Sequence, residues 1–140
     1  MKDIRVVVNE SFGRLHVYNA YPTETAEGQF EEHKKFYPEG CRLATPEEIG
    51  ISNDMSLEEQ FDRLLTLATN TTDVYREGNK INVSIEYGDW KHDHRFADQL
   101  VEVAFREQIK GKDEIVTEQD GSDTYSAEHI YEVEEDDYER

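Results

Sequence analysis

The stretch "KINVSIEY", residues 80–87, constrains the fold most strongly. Ile81, Val83, Ile85 and Tyr87 alternate with polar side chains. Because successive side chains of a strand point to opposite faces, this alternation predicts a β-strand with one buried face and one face in water. Strands with one solvent-exposed face are typical of antiparallel sheets, whereas parallel sheets are usually buried on both faces. The sequence therefore favours an antiparallel sheet.

A helix is predicted to begin after Ser56. Ser56 and Glu59 have the spacing of a capping box, in which each residue satisfies a backbone N–H of the other. A stripe of apolar side chains at helical intervals follows and must pack against something, most simply a face of the sheet. The stripe consists of Leu57, Phe61, Leu64, Leu65 and Ala68.

The other segments complete an α+β pattern. Strands at 4–8 and 14–21 form a predicted N-terminal hairpin, and residues 113–118 and 124–134 form two more strands around the turn "QDGSD". Further helices are predicted at 23–37, after Thr45, and in the segment that ends near residue 105. We therefore expect one α+β domain over residues 1–133, a mainly antiparallel sheet with helices packed on one face, followed by an acidic tail at 134–140.

The charge of the chain excludes several kinds of partner. Asp and Glu number 33 against 15 Lys and Arg, a formal net charge of −18. Binding to phosphate groups needs clustered cations, so we expect no direct contact with nucleic acid or with an anionic membrane. The same charge favours a partner protein with a basic surface, since long-range attraction accelerates encounter. Acidity that serves solubility alone is the simpler alternative.

Cysteine content and hydropathy indicate the compartment. Cys41 is the only cysteine, so the chain can form no disulfide within itself and no cysteine-based zinc site. No segment approaches the roughly 20 apolar residues of a membrane span, and the N-terminal apolar run is too short for a secretion signal. We therefore expect a cytoplasmic protein.

The C-terminal part carries most of the excess charge and is the predicted partner-binding region. Carboxylates two residues apart on a strand lie roughly 6.8 Å from one another, which approaches the charge density of a nucleic-acid strand. A solvated, disordered acidic terminus is the alternative for its last residues. The predicted contact residues are Glu128, Tyr131, Glu132, Glu134, Glu135, Asp136 and Asp137.

In size, acidity and lack of disulfides, the chain resembles the small acidic proteins of phages and mobile elements that inhibit host defence nucleases, some of which are DNA mimics. The resemblance rests on composition. It implies an inhibitor of a defence protein. The charge, its concentration toward the C-terminus and the lack of a specific catalytic motif favour a protein that is not an enzyme, needs no cofactor and blocks a basic, nucleic-acid-processing protein. A third possibility is that a functional site forms only when the chain oligomerises.

The stretch "GDWKHDH" suggests a second hypothesis. On a helix His92 and His94 lie about 200° apart, so they would share one metal only if this segment is extended. If the segment is instead helical, His94 lies on the same helix face as the apolar stripe. Strand alternation makes His129 face inward as well. A small metal- or histidine-dependent hydrolase, or a small-molecule-binding protein, would then use these groups.

The candidate residues for that second hypothesis form two overlapping sets. The opposing alternative is that these histidines are satisfied core residues, and the chain contains none of the common nucleotide-binding or serine-hydrolase motifs. The metal candidates are His92, His94, Asp123 and His129, and the catalytic candidates are Asp93, His94 and His129.

Overall fold

The computed structural model describes residues 3–69, 71–87, 93–118 and 125–134. Within these ranges the chain forms three α-helices and seven β-strands, with single 3-10 turns at Lys34–Phe36 and Glu47–Ile49. In chain order the elements are β1 Ile4–Ser11, β2 Arg14–Pro22, α1 Thr23–His33, β3 Arg42–Ala44, α2 Leu57–Ala68, β4 Thr71–Glu77, β5 Lys80–Tyr87, α3 Asp93–Ala104, β6 Gly111–Glu118 and β7 Tyr125–Glu132.

The strands form two antiparallel sheets. The first has the order β2-β1-β3 and the second the order β4-β5-β7-β6. The α+β class and the antiparallel pairing are confirmed, and the expected sheet is divided in two. In the β1–β2 hairpin, Phe12 and Gly13 both have positive φ, 54° and 75°. This is the backbone that a two-residue turn needs to match the twist of its strands.

Helices α2 and α3 lie between the two sheets. Their apolar side chains join one core with Val6 of β1, Val17 of β2 and Val83 of β5. At the centre Phe61 of α2 stacks on Phe105, with ring centroids 4.1 Å apart. Helix α1 covers the opposite face of the first sheet through a smaller cluster: Val7, Tyr21, Ala26 and Phe30. The layers are therefore α1, the first sheet, the pair α2 and α3, and the second sheet.

The two helix starts predicted at Thr45 and Ser56 have different outcomes in the structure. The Ser56 side chain accepts a hydrogen bond from the Glu59 backbone N–H at 3.3 Å, so the predicted capping box initiates α2. The helix predicted after Thr45 is wrong in extent, because it is one 3-10 turn that ends at Gly50. Gly50 has φ 84°, a left-handed conformation that glycine adopts without steric cost and that terminates the turn.

Strand β4 was not predicted and forms one edge of the second sheet. It pairs with β5 from Glu77↔Lys80 to Thr71↔Ile85, with a register shift between Thr71 and Asp73. As an edge strand it places little apolar surface in the core, so its sequence lacks the alternation that identifies β5. No helix in the described ranges has both the length and the apolar character that crossing a bilayer would require.

Candidate functional site

Two histidines distant in sequence meet between α3 and the second sheet. His94 lies in the first turn of α3, and His129 lies near the middle of β7. Their side chains are 5% and 2% exposed, and the His94 Nδ1 lies 3.3 Å from the His129 Nε2. The rings stack with centroids 5.3 Å apart. The structure therefore brings together two of the histidines that the sequence singled out.

Glu114 of β6 adds a carboxylate to this pair. It is the cross-strand partner of His129, and its Oε2 lies 3.7 Å from the His129 Nδ1. One ligand atom from each of His94, His129 and Glu114 lies within 4.8 Å of the other two. We call these three residues the histidine–glutamate cluster.

Burial determines the protonation of His129 at neutral pH. Removal from water lowers the pKa of His129 below its usual 6.5, and the nearby His94 acts in the same direction. The negative charges of Asp98 and Glu114 oppose this shift without reversing it. His129 is therefore neutral at pH 7. A neutral imidazole has a ring nitrogen with a free electron pair, which suits proton transfer or metal ligation.

Asp98 connects the cluster to the surrounding core. It follows His94 by four residues on α3, so the two side chains share a helix face. Its carboxylate accepts hydrogen bonds from the Tyr131 hydroxyl at 3.0 Å and from the Lys112 ammonium at 2.8 Å. Hydrogen bonds to Asp98 and Glu102 raise the pKa of Lys112. Burial, and then the charge of Asp98, raises the pKa of the Tyr131 hydroxyl, which stays protonated and donates.

The cluster opens to the surface on one side. A cavity of about 210 Å³ is lined by Asp98, Lys112, Asp113, Glu114 and His129. A larger concave surface of about 650 Å³ lies between β2 and α3, away from the histidines. The smaller cavity is the candidate site, because the buried titratable groups converge there and volume alone indicates no chemistry.

The second sheet presents its other face to solvent. In β7 the buried Ala127, His129 and Tyr131 alternate with Glu128, Ile130 and Glu132, so these last three point away from the helices. The cross-strand register extends this alternation over all four strands. We call this surface the outer face.

The outer face is acidic and carries three large apolar side chains. Tyr75 on the edge strand β4 is 37% exposed, Ile115 on the edge strand β6 is 52% exposed, and Ile130 on β7 is half-buried. The Tyr75 hydroxyl donates a hydrogen bond to the Glu128 carboxylate at 3.3 Å. Among the described side chains the face carries six carboxylates and one ammonium: Asp73, Glu77, Glu86, Asp113, Glu128, Glu132 and Lys80.

The predicted partner-binding residues are divided by this geometry. Glu128 and Glu132 lie on the outer face, and Glu134 is exposed just beyond β7. Tyr131 must be removed from the set, because its side chain is only 1% exposed and packs in the core beside Phe61. The remaining three, Glu135, Asp136 and Asp137, lie outside the described residues.

The predicted metal and catalytic residues are likewise only partly placed. His94 and His129 come together, whereas His92 and Asp123 lie outside the described residues. Asp93 is the first residue of α3, and its side chain also lies outside the described part of the chain.

Glu114 and Asp98 are the site residues that sequence reasoning missed. The alternation of β6 is misleading, because Ile115 points to solvent while Glu114 lies beside a buried histidine. Only the pairing of β6 with β7 reveals this position. Asp98 could have been found from the sequence, because its spacing of four residues from His94 places both on one side of a helix.

Comparison with known protein families, with curated proteins and with solved structures gives no match for this chain.

Proposed function

We propose that this protein is a non-enzymatic acidic binding protein whose outer face docks on the basic surface of a nucleic-acid-processing protein and blocks it. One observation carries the proposal. The described part of the outer face holds six carboxylates and a single lysine around the exposed side chains of Tyr75 and Ile115.

The spacing of the carboxylates supports a cationic groove as the binding site on the partner. Carboxylates on neighbouring strands lie about 4.8 Å apart, and those two residues apart on one strand lie about 6.8 Å apart. These separations approach those between the phosphates of nucleic acid. A groove that binds a phosphate backbone would find a comparable charge density on this face.

The apolar side chains of this face support a protein as the partner rather than counterions alone. Stable interfaces bury aromatic and aliphatic anchors. Tyr75, Ile115 and Ile130 offer such anchors among the carboxylates of the face.

The inhibitory role and the mimicry of DNA are proposed from the composition of the chain. The resemblance to phage and mobile-element inhibitors of defence nucleases supports an inhibitory role and DNA mimicry. The free Cys41 and the absence of any disulfide among the described residues fit action in the cytoplasm.

The test uses two double charge reversals of equal size. Glu128→Lys with Glu132→Lys alters the outer face. Glu27→Lys with Glu31→Lys makes the same change of net charge on the exposed side of α1, across the molecule. The wild-type chain first captures basic proteins from host extract at low salt. Each captured nucleic-acid-binding protein is then purified, and its association rate is measured at two ionic strengths.

We expect the outer-face variant to associate about tenfold or more slowly than wild type, because it weakens both steering and docking. The α1 variant should change the rate by less than about threefold, since its charges lie beyond the screening length from the interface. A DNA duplex should compete with the wild-type chain. Equal effects of the two variants, or no competition by the duplex, would contradict the proposal.

A further inference from the structure

We infer that the histidine–glutamate cluster is a binding site for a divalent transition metal of the zinc class, with His94, His129 and Glu114 as ligands. The inference is independent of the proposed binding role of the outer face, because the cluster lies on the other side of the second sheet. It rests on the distances, the burial and the chemistry of the three side chains.

The separation of the imidazole nitrogens fits a shared metal ion. Two nitrogen ligands at about 2.05 Å from a tetrahedral zinc lie about 3.3 Å from each other. The His94 Nδ1 and the His129 Nε2 are 3.3 Å apart. The ion would replace this direct hydrogen-bond contact, and the two buried rings would turn so that both nitrogens point at it.

Glu114 is placed to complete the protein ligands. Its ligand atom lies within 4.8 Å of those of the two histidines, somewhat farther than tetrahedral ligands require. Because its Oε2 lies 3.7 Å from the His129 Nδ1, the carboxylate must swing toward the Nε2 side of the ring to join the ion. The side chain is 55% exposed at the rim of the cavity, so its carboxylate can move toward the ion without disturbing the core. The cavity beside it leaves room for a water molecule as a fourth ligand.

The donor types select the class of metal. Imidazole nitrogens favour zinc and other late first-row ions, whereas magnesium and calcium prefer sites made of oxygen alone. Two histidines and one carboxylate form a common zinc ligand set when one position is left for water. The carboxylate of Asp98, close enough to His129 to act on it electrostatically, adds a negative charge that favours a cation at this place.

The bound ion would join three elements that are distant in sequence. His94 lies in the first turn of α3, Glu114 lies in the edge strand β6, and His129 lies in β7. Metal ligation would therefore link the edge strand β6 to helix α3, because each contributes one ligand. Because the unfolded chain has no preformed site, metal binding should also stabilise the fold.

The experiment measures binding of Zn²⁺ and Co²⁺ to the full chain after removal of metal with a chelator. We expect one equivalent of zinc per chain by elemental analysis, a higher melting temperature with zinc, and visible absorption of tetrahedral Co²⁺. Glu114→Gln should weaken binding more than about 100-fold, beyond the loss usual for a group outside the ligand set. His94→Asn and His129→Asn should do the same.

His16→Asn is the matched control, because His16 is a histidine of the first sheet away from the cluster and should leave affinity unchanged. If a buried histidine variant fails to fold, the exposed Glu114→Gln decides the question alone. Absence of saturable zinc binding, or wild-type affinity in Glu114→Gln, would overturn the inference.

Discussion

Replacing Tyr131 by phenylalanine isolates one buried hydrogen bond. The Tyr131 hydroxyl donates to the Asp98 carboxylate at 3.0 Å, and its ring packs beside Phe61 and His129. Phenylalanine keeps this packing and removes only the oxygen. A hydrogen bond to a charged group is worth about 1.5–3 kcal/mol. Asp98 keeps its bond to Lys112 and is 22% exposed, so water recovers part of the loss.

We therefore expect Tyr131→Phe to lower the free energy of unfolding by about 1–2 kcal/mol, or the melting temperature by about 3–8 °C. Urea unfolding with an unchanged m-value measures the loss directly. Tyr75→Phe is the matched control, because Tyr75 donates to the Glu128 carboxylate at the surface. It should cost less than about 0.5 kcal/mol. A Tyr131→Phe variant as stable as wild type, or equal losses in both variants, would show that this hydrogen bond does not stabilise the fold.

Three further predictions concern the core, a helix cap and alkaline pH. Phe61→Ala should cost about 3–5 kcal/mol in chemical unfolding, since Phe61 is fully buried against Phe105, and a loss near 1 kcal/mol would contradict this packing. Ser56→Ala should cost about 1 kcal/mol, because the Glu59 N–H loses its acceptor, and Ser56→Asp should restore most of it. Burial and the hydrogen bond to Tyr37 raise the pKa of Tyr21, so the unfolded chain releases this proton first and stability falls as pH rises above 10. Unfolding curves from pH 9 to 11 should show a smaller fall in Tyr21→Phe, and equal falls would exclude the effect.

Local patterns predicted the elements whose cause is local. The alternation of residues 80–87 and the capping box at Ser56 gave β5 and α2 because one strand period and one cap suffice to specify them. Strand β4 was missed because it depends on pairing with β5 along a sheet edge. The division into two sheets was also missed, since it depends on where α2 and α3 lie rather than on any single segment.

The site followed the same rule. Periodicity placed His94 and His129 toward the interior, and these two residues meet. Glu114 depends on the register of β6 against β7, which no short sequence pattern encodes. Tyr131 was assigned to a binding surface because aromatic residues among carboxylates suggest an interface. Strand alternation had already placed its side chain on the face opposite Glu132, and the structure shows it buried there.

The proposed contact between the outer face and a basic partner can be located by NMR. Magnetisation is transferred from the purified partner to the isoleucine methyl groups of this chain in the complex. We expect strong transfer to Ile115 and Ile130, both on the outer face, and none to Ile49 in the core. Transfer confined to other surfaces, with Ile115 and Ile130 unaffected in a saturated complex, would contradict it.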